Sequence, residues 1–493
     1  MTPSEIIYSL VNYGEEKGLL DPLDRIYAIN KLLRLFREDS YEEPKNSFSI
    51  EEAVQAGIGL GKEKKLTELE NLNEEDAFEG EMIDALLPRP SQVKEIFFKK
   101  YQESPKAATD WFYQFSINAR YVRTDRLKKN IVYKVKGEKI DLDITINLSR
   151  PEKDPKEIAK AQQVKSSSYP LCLLCKENEG YYGTFTHPGR ANHRIIPLKL
   201  NGEDFYLQYS PYGYFNEHCI VLKKEHSPMT MNEKTFKRIT DFLEMFPTYM
   251  LGSNAELPIV GGSILTHEHY QGGDYLFPLA KAGEEESFTF KKFPLIKAAI
   301  VKWPLSVLRV TSSSKEEIVA FCTYVLDKWR NYSDESLGII AKDEVIHNTV
   351  SPIGRRVNGA YQFDLALRNN RTSTEYPLGI FHSHPEYWHI KKENIGLIEV
   401  LGLAILPGRL QKELELCRLQ LLKPSTDIDP SIEKHLPWLM EVKAKHPELN
   451  EKNAEAILKE EVGLVFEKVL SDAGVFKRDE KGKAGFIRFI KTL

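Results

Sequence analysis

Nothing in this chain approaches the run of roughly 20 apolar residues that a membrane-spanning helix needs, so no membrane role is expected. An excess of basic charge is missing too. Lys and Arg number 68 against 72 Asp and Glu, a net charge of -4, which reads against a protein built to coat nucleic acid. Cysteine is scarce: five, an odd number in 493 residues, do not make a disulfide framework, and a reducing cytoplasm is the expected setting. The opening residues, Met1-Thr2-Pro3-Ser4-Glu5, lack the basic and then apolar pattern of a secretory leader. What is present is an ordinary globular composition, 41% hydrophobic and 28% charged. The length suits two or three domains with sizeable cores.

Residues 1 to about 115 show helical spacing, as in Ile6, Ile7, Leu10 and Val11, and again in Ile26, Ile29, Leu32, Leu33 and Leu35. Gly57-Ile58-Gly59-Leu60-Gly61-Lys62 has the glycines of a phosphate loop but not its spacing. Glu63 stands where Ser or Thr would bind magnesium, so a helix-ending turn is expected. The acid-rich stretch from Glu68 to Glu81 reads as a solvated face. At Ile131 the period changes to two, and Ile131 to Leu148 reads as a β-hairpin turning at Lys136-Gly137-Glu138. Ser149 to Ser168, with Pro151, Pro155 and three closing serines, reads as a linker or surface excursion.

Cys172-Leu173-Leu174-Cys175 follows. Such a pair can supply two thiolates to one tetrahedral zinc, with His187, His193, His218, His226 and His267 downstream as candidate partners. Two buried free thiols fit the apolar Leu173 and Leu174 equally well. Strands with an Asn201-Gly202 turn come next. Thr230-Met231-Asn232-Glu233 reads as a capping box opening a helix that Pro247 stops. Then comes Gly261-Gly262-Ser263-Ile264-Leu265-Thr266-His267-Glu268-His269-Tyr270-Gln271-Gly272-Gly273. If extended, it sets His267, His269 and Gln271 on one face and Glu268 and Tyr270 on the other. Imidazole is a good nucleophile near neutral pH. A carboxamide beside it can donate to an anionic oxygen without titrating. These patterns predict an α+β fold, with helices packed on antiparallel sheets.

The stretch resembles the H-x-H-x-Q signature of the galactose-1-phosphate uridylyltransferases, members of the histidine-triad superfamily. The divergent second class is closest: its members carry motifs similar to Asn192-His193-Arg194-Ile195, Ser210 to His218 and Gly261 to Gly273. The resemblance implies two histidine-triad-like halves with antiparallel sheets and packed helices, plus a mainly helical N-terminal region. The expected division is a helical region over 1–165 with the 131–148 hairpin, a catalytic half over 166–300, and a second half with C-terminal helices over 301–493.

It further implies transfer of UMP from UDP-glucose to galactose 1-phosphate, giving UDP-galactose and glucose 1-phosphate, as in the Leloir pathway of galactose metabolism. His269 would be the nucleophile and Gln271 a donor to the phosphoryl oxygen. Asn254, Ser263, Arg190, Arg194 and Lys391 are the expected substrate contacts. The first class's zinc ligands would fall on Cys172, Cys175, His226 and His267, as a structural site. No organic cofactor is implied, and a cytoplasmic homodimer is. A histidine-triad nucleotide hydrolase or phosphorylase is the alternative.

In the last third, Ser314 caps a helix through Trp329, a strand is expected around Glu344 to Val350, and Asn358-Gly359 turns a hairpin. His382-Ser383-His384-Pro385 reads as a second H-x-H strand, which makes a degenerate duplication. His347, His382 and His384 could form a second metal site with a glutamate, as the resemblance to the first class suggests, and ordinary polar contacts fit them equally well. Lys391 to Glu399 leads into an expected apolar helix ending before Pro407.

Overall fold

Thr2 accepts a hydrogen bond from the Glu5 amide at 3.3 Å, and the Glu5 carboxylate accepts from the Thr2 amide at 2.7 Å. This reciprocal cap, with Pro3 just inside it, starts α1 (Pro3–Glu16). The protein is described by a computed structural model over residues 1–67, 69–149 and 168–493. Glu68 and residues 150–167 of the expected linker lie outside the described residues. The described residues cluster into two units. One draws on Met1–Asp125, residues 168–213 and Cys219–Ser227, the other on residues 126–149, Tyr214–His218 and Pro228–Leu493.

In the first unit, α1 is followed by α2 (Arg25–Phe36), α3 (Ile50–Glu63), α4 (Leu72–Asp84), α5 (Pro90–Glu103) and α6 (Pro105–Asn118). Ile6, Leu10, Leu32, Phe36, Val54, Ile58, Phe78 and Met82 form the core of α1 to α4. The glycines of residues 57–61 lie inside α3 and do not end it. A Cβ on Gly57 would sit 2.5 Å from Met82 Sδ, and one on Gly61 2.8 Å from Phe78 Cε1, so they are there for close helix packing. The acid-rich stretch is also not all solvated, since Glu79 is buried against Arg120 at 2.5 Å and Arg123 at 2.9 Å.

The hairpin expected near residue 131 is β1 (Ile131–Lys136) and β2 (Asp141–Asn147), in the second unit. Back in the first unit, β3 (Ile196–Leu200), β4 (Glu203–Tyr209) and β5 (Cys219–Lys223) pair antiparallel. Asn201 and Gly202, both at positive φ, make the tight turn that their sequence announces.

The second unit continues with α7 (Glu233–Met245), β6 (Met250–Gly252), β7 (His269–Gly273), β8 (Glu284–Phe290), β9 (Phe293–Val301), β10 (Val307–Ser312), α8 (Lys315–Arg330), β11 (Asn348–Val357) and β12 (Ala360–Asn369). Its strands are hydrogen-bonded in the order β7-β6-β11-β12-β10-β9-β8. Helices α7 and α8 pack on each other and on β11. The cap of α7 is Asn232, accepting from the Lys234 amide, and not Thr230, whose hydroxyl goes to Glu268 instead. The strand expected at Glu344 to Val350 and the hairpin after it are one long hairpin, β11–β12.

Along the chain, β3, β4, β5, α7, β6, β7 is answered by β8, β9, β10, α8, β11, β12. In each set a hairpin and a third strand precede the helix, and the last two strands pair antiparallel. The fold is α+β, with two histidine-triad-like halves of this make-up and a helical N-terminal region. The second Asn-Gly hairpin, β11–β12, is therefore the counterpart of β6–β7 and not of β3–β4. The apolar run after Lys391 is not one helix. It is a single turn (Leu397–Val400), a Gly402 with φ of +97°, and β13 (Leu403–Pro407) running parallel to β2. The C-terminal helices α9 (Leu410–Leu422), α10 (Leu436–Lys445), α11 (Ala454–Ala473) and α12 (Glu480–Ile490) follow. Among the described residues no helix is long and apolar enough to cross a membrane.

Candidate active site

The stretch from Gly261 to Gly273 is extended only in its last third. Gly261 and Gly262 fold back on Ala255 and Asn254, where a Cβ on Gly261 would lie 2.5 Å from the Ala255 carbonyl, and the strand begins at His269. From there the side chains alternate as the sequence predicts. Glu268 and Tyr270 turn toward α7, where buried Arg238 forms an ion pair with Glu268 and donates to the Tyr270 hydroxyl at 3.2 Å. His269 and Gln271 take the opposite face of β7. Gln271 pairs with Gly252, and Gly252 with Ile353, so this face continues across β6 and β11.

His269 Nδ1 lies 2.8 Å from the His267 carbonyl. A carbonyl can only accept, so Nδ1 carries the ring proton and Nε2 presents a lone pair. Burial pushes the His269 pKa down to about 4, with the His267 carbonyl pulling the other way, and the ring is neutral at pH 7. Gln271 Oε1 accepts from His218 Nε2 at 3.0 Å. His218 is itself buried, with its pKa pushed down to about 4 by that burial. Its link to Gln271, across 53 residues, has no sequence signal beyond its place in the Ser210 to His218 motif.

The two cysteines sit in a turn with their sulfurs 3.5 Å apart, and Cys175 Sγ is 3.1 Å from His226 Nδ1. The Leu174 amide points at Cys172 Sγ at 3.4 Å. Asn178 clasps the turn by donating to the Cys172 and Cys175 carbonyls at 2.9 and 2.7 Å. His187 is held by Asn178 Oδ1 at 2.7 Å and His193 by Gln208 at 2.9 Å, so neither is needed as a partner for the sulfurs. Within the first unit Cys172, Cys175 and His226 thus bring two sulfurs and a ring nitrogen together, three donors of the kind tetrahedral zinc takes, while His267, the fourth expected ligand, is buried in the second unit. Burial and the neighbouring Cys172 sulfur push the Cys175 thiol up to about 12, so thiolates there require a cation.

The expected cations differ in their engagements. Arg190 is buried, donates to the Tyr121 hydroxyl and lies over that ring at 5.7 Å, with no carboxylate partner among the described residues. Arg194 is fully engaged by Asp84 at 2.7 Å and by the carbonyls of Pro88, Ala191 and His193. Lys391 is buried on Glu399 at 3.1 Å and the Ile405 carbonyl at 2.9 Å. Asn254 Oδ1 accepts from the Leu397 amide at 2.9 Å, and Ser263 is exposed.

The second H-x-H is not a strand. Gly379 at positive φ precedes it, Pro385 follows it, and His384 Nε2 bonds back to the Ile380 carbonyl at 3.0 Å, closing a loop. His347 is held by Asn370 and Asp343, and His382 turns to the Ser383 carbonyl. Among the described residues no second group of such donors converges as the Cys172 group does.

Comparison with known proteins gives two family matches. Residues 18–228 fit the galactose-1-phosphate uridyl transferase N-terminal domain, and residues 240–438 the C-terminal domain of the same enzyme. A galactose-1-phosphate uridylyltransferase of Clostridium acetobutylicum is 47% identical over 492 residues, 99% of each chain. That of Clostridium perfringens is also 47% identical, over 99% of this chain and 98% of its own. Galactose-1-phosphate uridylyltransferase 1 of Streptococcus pneumoniae is 44% identical over 99% of each. Among solved structures, yeast Ap4A phosphorylase Apa2 covers 65% of this chain and 98% of its own, at 12% identity and a TM-score of 0.37.

Proposed function

The chain belongs to the galactose-1-phosphate uridylyltransferase family, a family of nucleotidyltransferases, and from that premise we propose a double displacement through a uridylyl group on His269. In the first step His269 Nε2 forms a bond to the α-phosphorus of UDP-glucose. The bond from that phosphorus to the bridging oxygen breaks, and glucose 1-phosphate leaves with the electron pair. In the second, a phosphate oxygen of galactose 1-phosphate attacks the same phosphorus, and the pair returns to Nε2 as UDP-galactose departs. No net proton is transferred. The intermediate ring carries Nδ1–H and Nε2–P together and is cationic, so the His267 carbonyl stabilises it most at that stage. The single observation that carries the reading is this bond, which leaves a neutral, buried imidazole with a free Nε2.

Gln271 stabilises charge on a non-bridging oxygen through its amide N–H groups, a donor worth roughly 3–4 kcal/mol at the transition state. Arg190, buried and with no carboxylate partner among the described residues, is assigned to a substrate phosphate. Ser263 and the Asn254 amide are assigned to the nucleotide. Arg194 and Lys391 hold structure in the state described, and only displacement of Asp84 or Glu399 would free them for phosphate. The expected cytoplasmic location and homodimer belong to the same proposal.

The decisive experiment uses UDP-glucose alone. Quenched protein should gain one UMP on the peptide holding His269, and galactose 1-phosphate should discharge it. An adduct lost to water or inorganic phosphate at the same rate would mark a hydrolase or phosphorylase. No adduct on folded, active protein would remove the covalent route.

Zinc at Cys172, Cys175, His226 and His267 would be structural, fixing the backbone whose carbonyl holds His269. Purified protein should carry close to one zinc per chain by elemental mass spectrometry. Cys175→Ser should lose it, with a stability loss large against the about 5–15 kcal/mol that keeps a domain folded. Metal-free wild-type protein of full stability would sink this assignment.

A further inference from the structure

We propose that His218 is the positioning residue that decides which end of the Gln271 carboxamide faces the reacting phosphoryl group, through its Nε2 bond to Gln271 Oε1. This rests on the reading of Gln271 given above. A carboxamide has a donor end and an acceptor end of nearly the same shape. Turned one way, Gln271 offers N–H groups to a phosphoryl oxygen. Turned the other way, it offers a carbonyl and repels that oxygen. Something beside it must break the tie.

His218 can do so because its ring is fixed and has a single favourable tautomer. The ring is buried, 4.4 Å from Phe215 and 5.6 Å from Tyr214, with its amide bonded to the Phe215 carbonyl at 3.2 Å. The preceding residue, Glu217, is anchored by the Tyr249 hydroxyl. Gly273, at φ of +153°, lets β7 approach: a Cβ there would lie 2.6 Å from the Glu217 carbonyl. His218 Nδ1 is buried and has no hydrogen-bond partner among the described residues.

A neutral ring has one N–H, so two arrangements compete. With the proton on Nε2, it donates to Gln271 Oε1 and only a lone pair is orphaned at Nδ1. With the proton on Nδ1, a buried N–H is orphaned, which folded proteins tolerate least. Gln271 would then have to donate to Nε2 and turn its carbonyl to the substrate. The first arrangement prevails, and it aims the Gln271 N–H groups outward. Both ring states of His218 donate from Nε2, so the orientation holds whatever the ring charge.

The test is a set of variants read by the rate of uridylyl adduct formation from UDP-glucose. His218→Gln keeps a donor close to the Nε2 position and should stay within about tenfold of wild type. His218→Phe keeps the bulk without the donor and should lose about 100-fold, with UDP-glucose affinity changed far less. In a Gln271→Ala background His218→Phe should cost almost nothing more, since the two act as one unit. Nitrogen-15 shifts of labelled wild-type histidines, assigned by their loss in His218→Gln, should report the Nε2–H tautomer. This last readout stands even if His218→Phe fails to fold.

A folded His218→Phe of wild-type rate, losses that simply multiply with Gln271→Ala, or an Nδ1–H tautomer each overturn the proposal. Wild-type rate in Gln271→Ala is a different failure. It overturns the role given to Gln271, and with it this proposal.

Discussion

His269→Asn should fold, bind UDP-glucose and fail to take up UMP, with turnover down by at least about 10⁴-fold. Removing the nucleophile of a covalent mechanism costs on the order of 10⁶-fold where it has been measured in a serine protease. The smaller figure allows for direct transfer between substrates held in place by the remaining groups. Asparagine is chosen because its amide can still donate to the His267 carbonyl, the partner of Nδ1 at 2.8 Å. The backbone of β7 then keeps its anchor while the lone pair of Nε2 is gone. Steady-state kinetics beside nucleotide binding and thermal unfolding make the check. Turnover within tenfold of wild type would place the nucleophile elsewhere.

The second large effect lies behind the strand. Arg238 and Glu268 are both buried, with side chains 3% and 2% exposed, and they neutralise each other. Arg238→Met removes the ion-pair partner of the Glu268 carboxylate from the interior, a change that costs about 3–5 kcal/mol when a buried pair loses one member. The Thr230 and Tyr270 hydroxyls, each 3.3 Å from Glu268, offset only part of that. The double variant Arg238→Met, Glu268→Leu should recover most of the loss, because apolar replacement of a whole buried pair is often neutral. Denaturant unfolding of the two variants decides it. A single variant within about 1 kcal/mol of wild type would show that water or a shifted proton relieves the carboxylate.

Local chemistry made much of this fold readable. Both Asn-Gly turns carry positive φ at each residue and close hairpins, because few other pairs tolerate it. The alternation of Glu268 and Tyr270 against His269 and Gln271 follows from the strand period once the strand exists. Where reading failed, a distant partner had overridden the local pattern. Gly57 and Gly61 looked like a turn because their reason, Met82 and Phe78, lies on another helix. The apolar run after Gly396 looked helical because nothing local announces that β2 will take Leu403–Pro407 as a parallel neighbour. The second H-x-H looked like a strand by analogy with the first, but Gly379 and Pro385 bend it into a loop. At the site, the sequence placed the nucleophile candidate on its face. It could not show that His218 meets Gln271, or that Asp84 and Glu399 occupy two of the expected cations.

The contact between Cys175 and His226 joins positions 51 residues apart. An ion clasped by both is, to the unfolded chain, a cross-link. Closing a loop of that length removes chain entropy worth about 4 kcal/mol at room temperature, if the relation for disulfides is carried over. A disulfide of that reach could not persist in a reducing cell, whereas a metal clasp can. It can also be undone without any redox chemistry. If zinc is held there as proposed, the stability it adds grows with the logarithm of the free metal concentration, so zinc supply would shift how much of this chain stays folded at its working temperature.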